Sequence, residues 1–323
     1  MAKIESQTHG LESDCLHCSP SDDDFTARMR FHQSWYRHHV LQRQPGPNPS
    51  ADNKLYGNML CEKDGLAGWN FISEMIHALA EDRLKQGMDR IEPNRLRNNL
   101  LSSQPMCFNL FGLMAKDVKF ATAVFRQLPG LPGDLQITRL IFEYAPDKSA
   151  HLNDSTSFDA FAEYERPGKI RGFIGIETKL TEPFSQDKYE FSERYSRWRS
   201  HKKWWWVGGS EQHFQNKLYN QLWRNHLLGF AVLHQKTPSY DEGYCAVIAH
   251  PSDPTCSDAI CAYRPHLLPA SASTLLEWPI STLVECCASV TVSREQRDWI
   301  NAYRLRYLGL QASQPAWNAY RHA

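Results

Sequence analysis

The segment Gly172-Phe-Ile-Gly-Ile-Glu-Thr-Lys-Leu180 is an apolar run that two opposite charges interrupt. Its β-branched and aromatic residues predict a strand. Side chains alternate along a strand, so Glu177 and Lys179 share one face. Charges in an apolar strand are costly unless they are paired, hydrated or bound to a metal. The bland alternative is a surface ion pair on an edge strand, and this segment alone leaves both readings open.

Two more strand-like segments precede this one, Gln136–Tyr144 and Ser157–Tyr164. The turn dipeptide Pro167-Gly168 separates the second segment from the third. Because the three segments follow one another closely, they are expected to pair as an antiparallel meander.

Asp159 interrupts the second segment, where aspartate is disfavoured. If the second and third strands pair across the turn, Asp159 lies beside Glu177. Two neighbouring carboxylates repel each other and call for a cation. Mg²⁺ suits such a site, with Mn²⁺ as a substitute, and it can activate water at a phosphate while Lys179 stabilises the developing charge. The rival residue Asp154 lies in a polar stretch that reads as a loop.

Helical patterns flank the three strands, and one more strand follows them. The order helix, three strands, helix, strand predicts an α/β fold around one small mixed sheet. The predicted elements are a helix from Ser21 to Val40, helices at Leu66–Leu84, Pro105–Gln127 and Glu211–Leu233, a strand at Gly243–Ala249 and a mostly helical tail from Leu275. The predicted division is an N-terminal extension at 1–65, partly flexible with one helix, a central domain at 66–260 and a C-terminal helical extension at 261–323.

An aspartate on one strand followed by Glu-x-Lys on the next resembles the PD-(D/E)XK nuclease superfamily, which includes many restriction endonucleases. The resemblance covers the segment from about residue 94 to about residue 250. Four blocks are similar to a bacterial branch of restriction-endonuclease-like proteins: Ser102–Phe111, Ser157–Ala160, Gly172–Lys179 and Gln221–Asn225.

The resemblance implies a restriction-endonuclease-like core and a metal-dependent nuclease that hydrolyses DNA, in restriction or phage defence. It places the catalytic residues at Asp159, Glu177 and Lys179, with Asp159 and Glu177 as the metal ligands. Phe158 stands where the family's name has proline. The glutamate that the superfamily often carries on the preceding helix has no clear counterpart, and the candidates left open are Gln104, Asn109, Glu74, Glu92 and Glu143.

The helix after the third strand carries further polar candidates. Gln215 and Tyr219 look like the Gln-x-x-x-Tyr motif of some superfamily nucleases. Gln221, Arg224 and Asn225 form another face by helical spacing, and an arginine there can grip a phosphate. For Gln221 and Arg224 the functional role and a solvated helix face weigh equally, whereas Asn225 is expected to be merely solvated.

Basic and aromatic residues alternate between Arg194 and Trp206. Arg197, Arg199, Lys202 and Lys203 are therefore predicted to bind nucleic acid, because such a segment can neutralise phosphates and stack on bases. The alternative is a solvated basic loop whose tryptophans fill the core.

The overall composition gives no support of its own for nucleic-acid binding, since the formal net charge is +0. The absence of long apolar runs and of a signal-like start predicts a cytoplasmic protein without membrane contact. Cys15 and Cys18 have the spacing of half a zinc or iron–sulfur site. We expect neither group, because no second Cys-x-x-Cys completes the pattern.

The resemblance to nucleases implies DNA as the partner. A second copy of the chain or another defence protein is a further expected partner. Two alternatives stay open: an RNA-cleaving nuclease on the same core, and a non-catalytic nucleic-acid-binding or scaffold protein. The intact Asp159, Glu177 and Lys179 favour catalysis over the scaffold.

Overall fold

The computed structural model describes residues 22–48, 53–87, 91–149, 151–185 and 193–321. Two compact units make up the chain: the first contains residues 1–113 and 291–323, and the second contains residues 114–290. The three-part division drawn from the sequence stays a prediction.

The second unit contains a five-stranded mixed sheet. Its strands, in spatial order, are β3 (Gln136–Tyr144), β4 (Phe158–Arg166), β5 (Ile170–Lys179), β6 (Glu242–Ala249) and β7 (Leu275–Pro279). The first three strands form the predicted antiparallel meander, and β5, β6 and β7 run parallel. This confirms the predicted α/β fold and makes β5, which carries Glu177 and Lys179, the central strand.

Aromatic side chains of the meander pack against helix α8 (Asn220–Leu233) in the second unit. Phe161 and Phe173 stack with ring centroids 5.1 Å apart, and both belong to one buried cluster with Trp223 and Phe230 of α8. The remaining helices of this unit are α6 (Val118–Phe125), α7 (Glu193–Arg199), α9 (Pro254–Tyr263) and α10 (Ile280–Val290), with short 3-10 turns at Ser210–His213, Arg264–His266 and Pro269–Thr274.

The first unit is mainly helical and contains a small hairpin. Its elements within the described residues are α1 (Asp24–Trp35), a π-helical turn at Tyr36–Leu41, strands β1 (Pro45–Pro47) and β2 (Leu55–Leu60), helices α2 (Glu62–Leu66), α3 (Glu74–Lys85), α4 (Pro93–Asn98), α11 (Arg294–Tyr307) and α12 (Gln314–Arg321), and a 3-10 turn at Leu310–Ser313. Helix α5 (Ser103–Lys116) contains the boundary between the units. None of the described helices has the length and apolar character needed to cross a membrane.

Three helix predictions are wrong in their extent. The helix predicted at Pro105–Gln127 is two helices, α5 and α6, because Asp117 caps the second by accepting from the Lys119 and Phe120 amides. The helix predicted from Leu66 begins only at Glu74, where Ser73 accepts from the Ile76 amide.

The helix predicted from Glu211 begins at Asn220, because residues up to Tyr219 form turns. The tail predicted to be mostly helical from Leu275 begins instead with β7. This five-residue strand is placed by its parallel pairing with β6, which buries Leu275 and Trp278. A segment this short has too few residues to reveal its strand period in the sequence.

Candidate active site

Glu177 and Lys179 form a buried ion pair near the end of the central strand. The Lys179 Nζ lies 2.8 Å from Glu177 Oε1, and the two residues are only 6% and 7% exposed. They share a face of β5, as alternation predicted. The alternative of a surface pair on an edge strand is wrong, because β5 has β4 on one side and β6 on the other.

The first two turns of α8 hold this pair through two amide side chains. Gln221 donates to Glu177 Oε1 at 2.8 Å and accepts from Lys179 Nζ at 3.2 Å. Asn225, one turn later, donates to Glu177 Oε2 at 2.7 Å. Both oxygens of Glu177 therefore have fixed donors.

Asn225 is the residue that sequence reasoning undervalued. Its spacing of four from Gln221 placed both side chains on one helix face, but a solvated face was expected. The structure turns that face toward β5 and buries Asn225. Gln221 also accepts from the Ser185 amide at 2.6 Å, which links the loop after β5 to the ion pair.

Asp159 lies next to this pair on the neighbouring strand. The last backbone pair of the β4–β5 ladder is Ala160 opposite Ile176. Beyond it, the Asp159 side chain instead of the β4 backbone accepts hydrogen bonds from β5. Its Oδ2 accepts from the Thr178 amide at 2.7 Å and from the Thr178 hydroxyl at 2.8 Å. Among the described residues its Oδ1 has no hydrogen-bond partner, so that atom is open to a ligand.

Several carboxylates act electrostatically on Asp159 and Lys179. Burial raises the pKa of Asp159 well above its usual range, and the charges of Glu177 and Glu143 raise it further. Burial alone would lower the pKa of Lys179, but the Glu177 and Asp159 carboxylates outweigh that effect and raise it. Lys179 is therefore a cation here, suited to stabilising negative charge.

Glu143 is the candidate supporting acid whose charge raises the pKa of Asp159. It is buried on β3 and has a left-handed backbone with φ 48°, a conformation uncommon for glutamate. The alternative Asp154 is a loop residue, as expected, and accepts from the Thr156 amide and the Tyr195 hydroxyl.

The candidates on the first unit's helices have varied settings. Asn109 is buried in a network that includes Asn70 and Tyr307, and Glu92 caps α4. Glu74 lies in the first turn of α3. The supporting role of Gln104, on α5, stays a prediction.

Other candidates on or before α8 have different surroundings from those expected. Gln215 is exposed and lies before the helix, so it does not share a helical face with Tyr219. The Arg224 guanidinium is buried and donates to Asn220 and Thr156. These contacts tie α8 to the loop before β4 and give no support to the predicted phosphate grip, which stays a prediction.

In the basic segment, Arg194–Trp206, two of the tryptophans are buried and the cations predicted to bind nucleic acid are exposed. Trp205 and Trp206 are buried in the core, so the reading of the tryptophans as core residues is correct for these two. The four predicted nucleic-acid-binding cations, Arg197, Arg199, Lys202 and Lys203, are exposed. Arg199 pairs with Glu211 at 2.5 Å, and the cations remain available to solvent on one short stretch of chain.

Whether the site can hold a metal ion depends on the carboxylates and other donor side chains of the second unit. Within the described residues no group of three or more His, Cys, Asp or Glu side chains is arranged to hold a metal ion. The chemistry of Asp159 and Glu177 nevertheless fits a divalent cation, because repelling carboxylates with an open oxygen are hard ligands for such an ion. Cys15 and Cys18, the half-site that the sequence offered, lie outside the described residues.

We expect Asp159→Asn to stabilise the metal-free protein near pH 7, by about 2–4 °C in Tm. A carboxyl whose pKa is higher in the folded than in the unfolded protein opposes folding once it ionises, so stability falls as pH rises from the ordinary aspartate range toward the raised pKa. Asparagine removes that cost and can still accept from Thr178.

Thermal unfolding in a chelating buffer from pH 4 to pH 8 measures this effect. The gain should shrink toward acid pH, where Asp159 is already protonated. The exposed Asp258→Asn serves as the matched control and should show little change. A loss of stability at pH 7, or a gain that does not depend on pH, would contradict the assigned electrostatics.

Comparison with known proteins identifies the family of the chain. A family model described as belonging to the PD-(D/E)XK nuclease superfamily matches residues 20–309. No curated protein and no solved structure matches. The family match spans most of the chain and includes the strands that carry Asp159, Glu177 and Lys179. This chain belongs to the PD-(D/E)XK nuclease superfamily.

Proposed function

We propose that this protein is a Mg²⁺-dependent nuclease that hydrolyses phosphodiester bonds of DNA, with Asp159, Glu177 and Lys179 as its catalytic residues. The observation that supports this most strongly is the buried Glu177–Lys179 pair on the central strand, beside a carboxyl whose Oδ1 is open. Mn²⁺ is the expected substitute metal. Nucleic acid as substrate follows from the family, whereas DNA rather than RNA is part of the proposal.

In this proposal Asp159 and Glu177 hold the cation, which when bound neutralises phosphate charge and activates a water. The chain's own contribution is to fix the surrounding groups. Lys179 is held as a cation by Glu177 and Gln221, so it can donate a charge-assisted hydrogen bond to a phosphate oxygen. Gln221 and Asn225 prevent Glu177 from rotating.

The scaffold alternative is less well supported by the energetics. A buried ion pair seldom stabilises a fold more than apolar residues of the same volume do, because both charges lose their hydration. A protein that only bound nucleic acid would gain nothing from placing this pair in its central strand. The role in restriction or phage defence is a proposal based on the family resemblance. The cytoplasmic location, which was expected from the sequence pattern alone, and an association with a second copy are also proposals.

We expect Lys179→Ala and Lys179→Met to abolish cleavage, with a loss of at least about 100-fold in rate, because the transition state loses its cationic donor. Supercoiled plasmid, linear DNA and RNA are each incubated with pure protein, with and without Mg²⁺. Lys179→Met keeps the side-chain length, and circular dichroism separates lost chemistry from lost folding. A folded variant with the wild-type rate would contradict the proposed mechanism. Cleavage of RNA alone by the wild-type protein would favour the RNA alternative.

Asn225→Ala is expected to lower the cleavage rate by about 10–100-fold, because a group that orients a metal ligand has effects of this size. The loss should appear mainly as weaker Mg²⁺ binding, so that half-maximal activity requires a higher Mg²⁺ concentration and the activity is partly restored at high Mg²⁺. Asn225 holds Glu177 and does not itself touch the metal in this proposal. The exposed Gln212→Ala is the control. An unchanged Mg²⁺ profile in a folded Asn225→Ala would contradict the positioning role.

The four exposed cations of the basic segment are expected to bind phosphates. Changing Arg197, Arg199, Lys202 and Lys203 to Ser should make the log–log salt dependence of DNA binding shallower, by about 0.9 per lost contact on duplex DNA. All sequences should weaken alike, since phosphate contacts carry no sequence information. The core tryptophans are left in place.

The matched control removes an equal charge elsewhere in the second unit, by changing the exposed Lys116, Lys119, Arg139 and Lys169 to Ser. Binding is measured by fluorescence anisotropy at several salt concentrations. If the basic-segment variant and the control have the same salt slope as the wild type, the segment is solvated and takes no part in binding.

A further inference from the structure

A cavity of about 600 Å³ lies in the second unit, apart from the residues of the candidate active site. The lining residues that matter here are Tyr144, His151, Trp198, His234, Gln235 and Lys236. They come from the end of β3, the loop that follows it, α7 and the loop after α8. No catalytic residue proposed above belongs to the lining.

Helix α8 has residues of the candidate active site near its start and a residue of the cavity lining at its end. Asn225 binds Glu177 near the start of the helix, and His234 is the residue that caps its end. His234 is nine positions after Asn225, which corresponds to about 14 Å along the axis at a rise of 1.5 Å per residue. A few nucleotides of an extended chain span a distance of this size, and the oligonucleotide experiment below tests whether the substrate chain reaches the cavity.

Flat aromatic rings form two walls of the cavity, and both are fixed by their neighbours. Tyr144 stacks on Phe161 with ring centroids 4.0 Å apart. The Trp198 indole donates to the His151 carbonyl at 3.1 Å. Rigid aromatic surfaces of this kind suit a planar ligand, since stacking on them costs little conformational entropy.

His234 adds a polar edge. Its ring stacks on His201 at 4.2 Å and meets Phe230 edge-on at 4.5 Å. Burial, His201 and Lys203 lower the pKa of His234 to about 4, so the imidazole is neutral near pH 7. Its Nε2 is buried and has no hydrogen-bond partner among the described residues, a state that a polar ligand edge would relieve.

Gln235 offers a second unmet polar group. Its Oε1 lies 2.6 Å from His151 Nε2, while its Nε2 is buried without a partner among the described residues. His151 Nδ1 lies 2.8 Å from the Asp147 carbonyl and so must donate there. If the Gln235 amide turns over, its nitrogen donates to a neutral His151 and its oxygen is left over. In either orientation one end of the amide remains for a ligand.

Three cations lie on or near the same cavity, and one carboxylate, that of Asp147, is also part of its lining. Lys236 is an exposed lining residue, Arg197 lies over the Trp198 ring at 5.0 Å, and the charge of Lys203 acts on His234. Stacking walls, uncharged hydrogen-bonding groups and a cationic rim together match a base that carries a phosphate.

We propose that this cavity is a nucleotide-binding site, in which a base lies against Tyr144 and Trp198 with its polar edge toward His234 and Gln235, and the phosphate lies near Lys236. The proposal rests on the proposed function in so far as the nucleotide belongs to the substrate chain. A free mononucleotide has the same chemistry and is the second source.

Two sets of measurements test the site, both in a chelating buffer so that the active site binds no metal. In the first, the deoxynucleoside and ribonucleoside monophosphates are titrated calorimetrically. In the second, 2-aminopurine is placed at successive positions of an oligonucleotide bound to Lys179→Met, and its emission is recorded. Gln235→Leu and Lys236→Ser alter the cavity, and the exposed Gln212→Leu and Lys217→Ser are the matched controls.

We expect saturable mononucleotide binding, a 2-aminopurine response at one or two positions only, or both. The cavity variants should weaken the binding or the response by about tenfold, the effect of losing one or two polar contacts, while the controls stay within about twofold of the starting protein. Mononucleotide binding alone identifies a free nucleotide as the source, and a position-specific response identifies the substrate chain.

The absence of both signals overturns the proposal, as does equal binding by cavity and control variants. Neither measurement requires cleavage. A protein that binds nucleotides here but cuts nothing would refute the proposed function alone, and a nuclease with an inert cavity would refute this inference alone.

Discussion

The ion pair between Glu177 and Lys179 is the interaction on which the rest of the site depends. Both charges lie in the central strand of a sheet, where water cannot satisfy them. They are tolerable only because the amides of Gln221 and Asn225 complete the hydrogen bonding of the glutamate. The position of α8 relative to β5 is therefore a requirement of the buried charge as well as of apolar packing.

The carboxylates around the pair outnumber the single lysine. Burial, reinforced by the charges of Glu177 and Glu143, raises the pKa of Asp159 despite the nearby cation. The divalent cation proposed above would offset this excess of negative charge. Lys179 keeps its own proton in the same field, so the role that we propose for it is electrostatic. The loop at Ser185 is linked to Lys179 through Gln221.

The meander could be predicted from the sequence because its strands are consecutive and a turn dipeptide joins two of them. The extent of the helices could not be predicted as well. Asp117 ends one helix and starts another through a side-chain cap, and β7 exists because β6 offers it a partner. Similarly, the tryptophans of the basic segment were ambiguous until Phe230 of α8 was seen to pack against them.

The sequence by itself determined that Glu177 and Lys179 share a face and that Asp159 lies near them, because alternation along a strand and a short hairpin are local rules. Only the tertiary structure decided that the pair is buried, that Asn225 binds Glu177 and that Arg224 binds Thr156. The same holds for the cavity at the end of α8. These contacts join residues far apart in the chain, and residue spacing carries no information about which distant surface a helix face will meet.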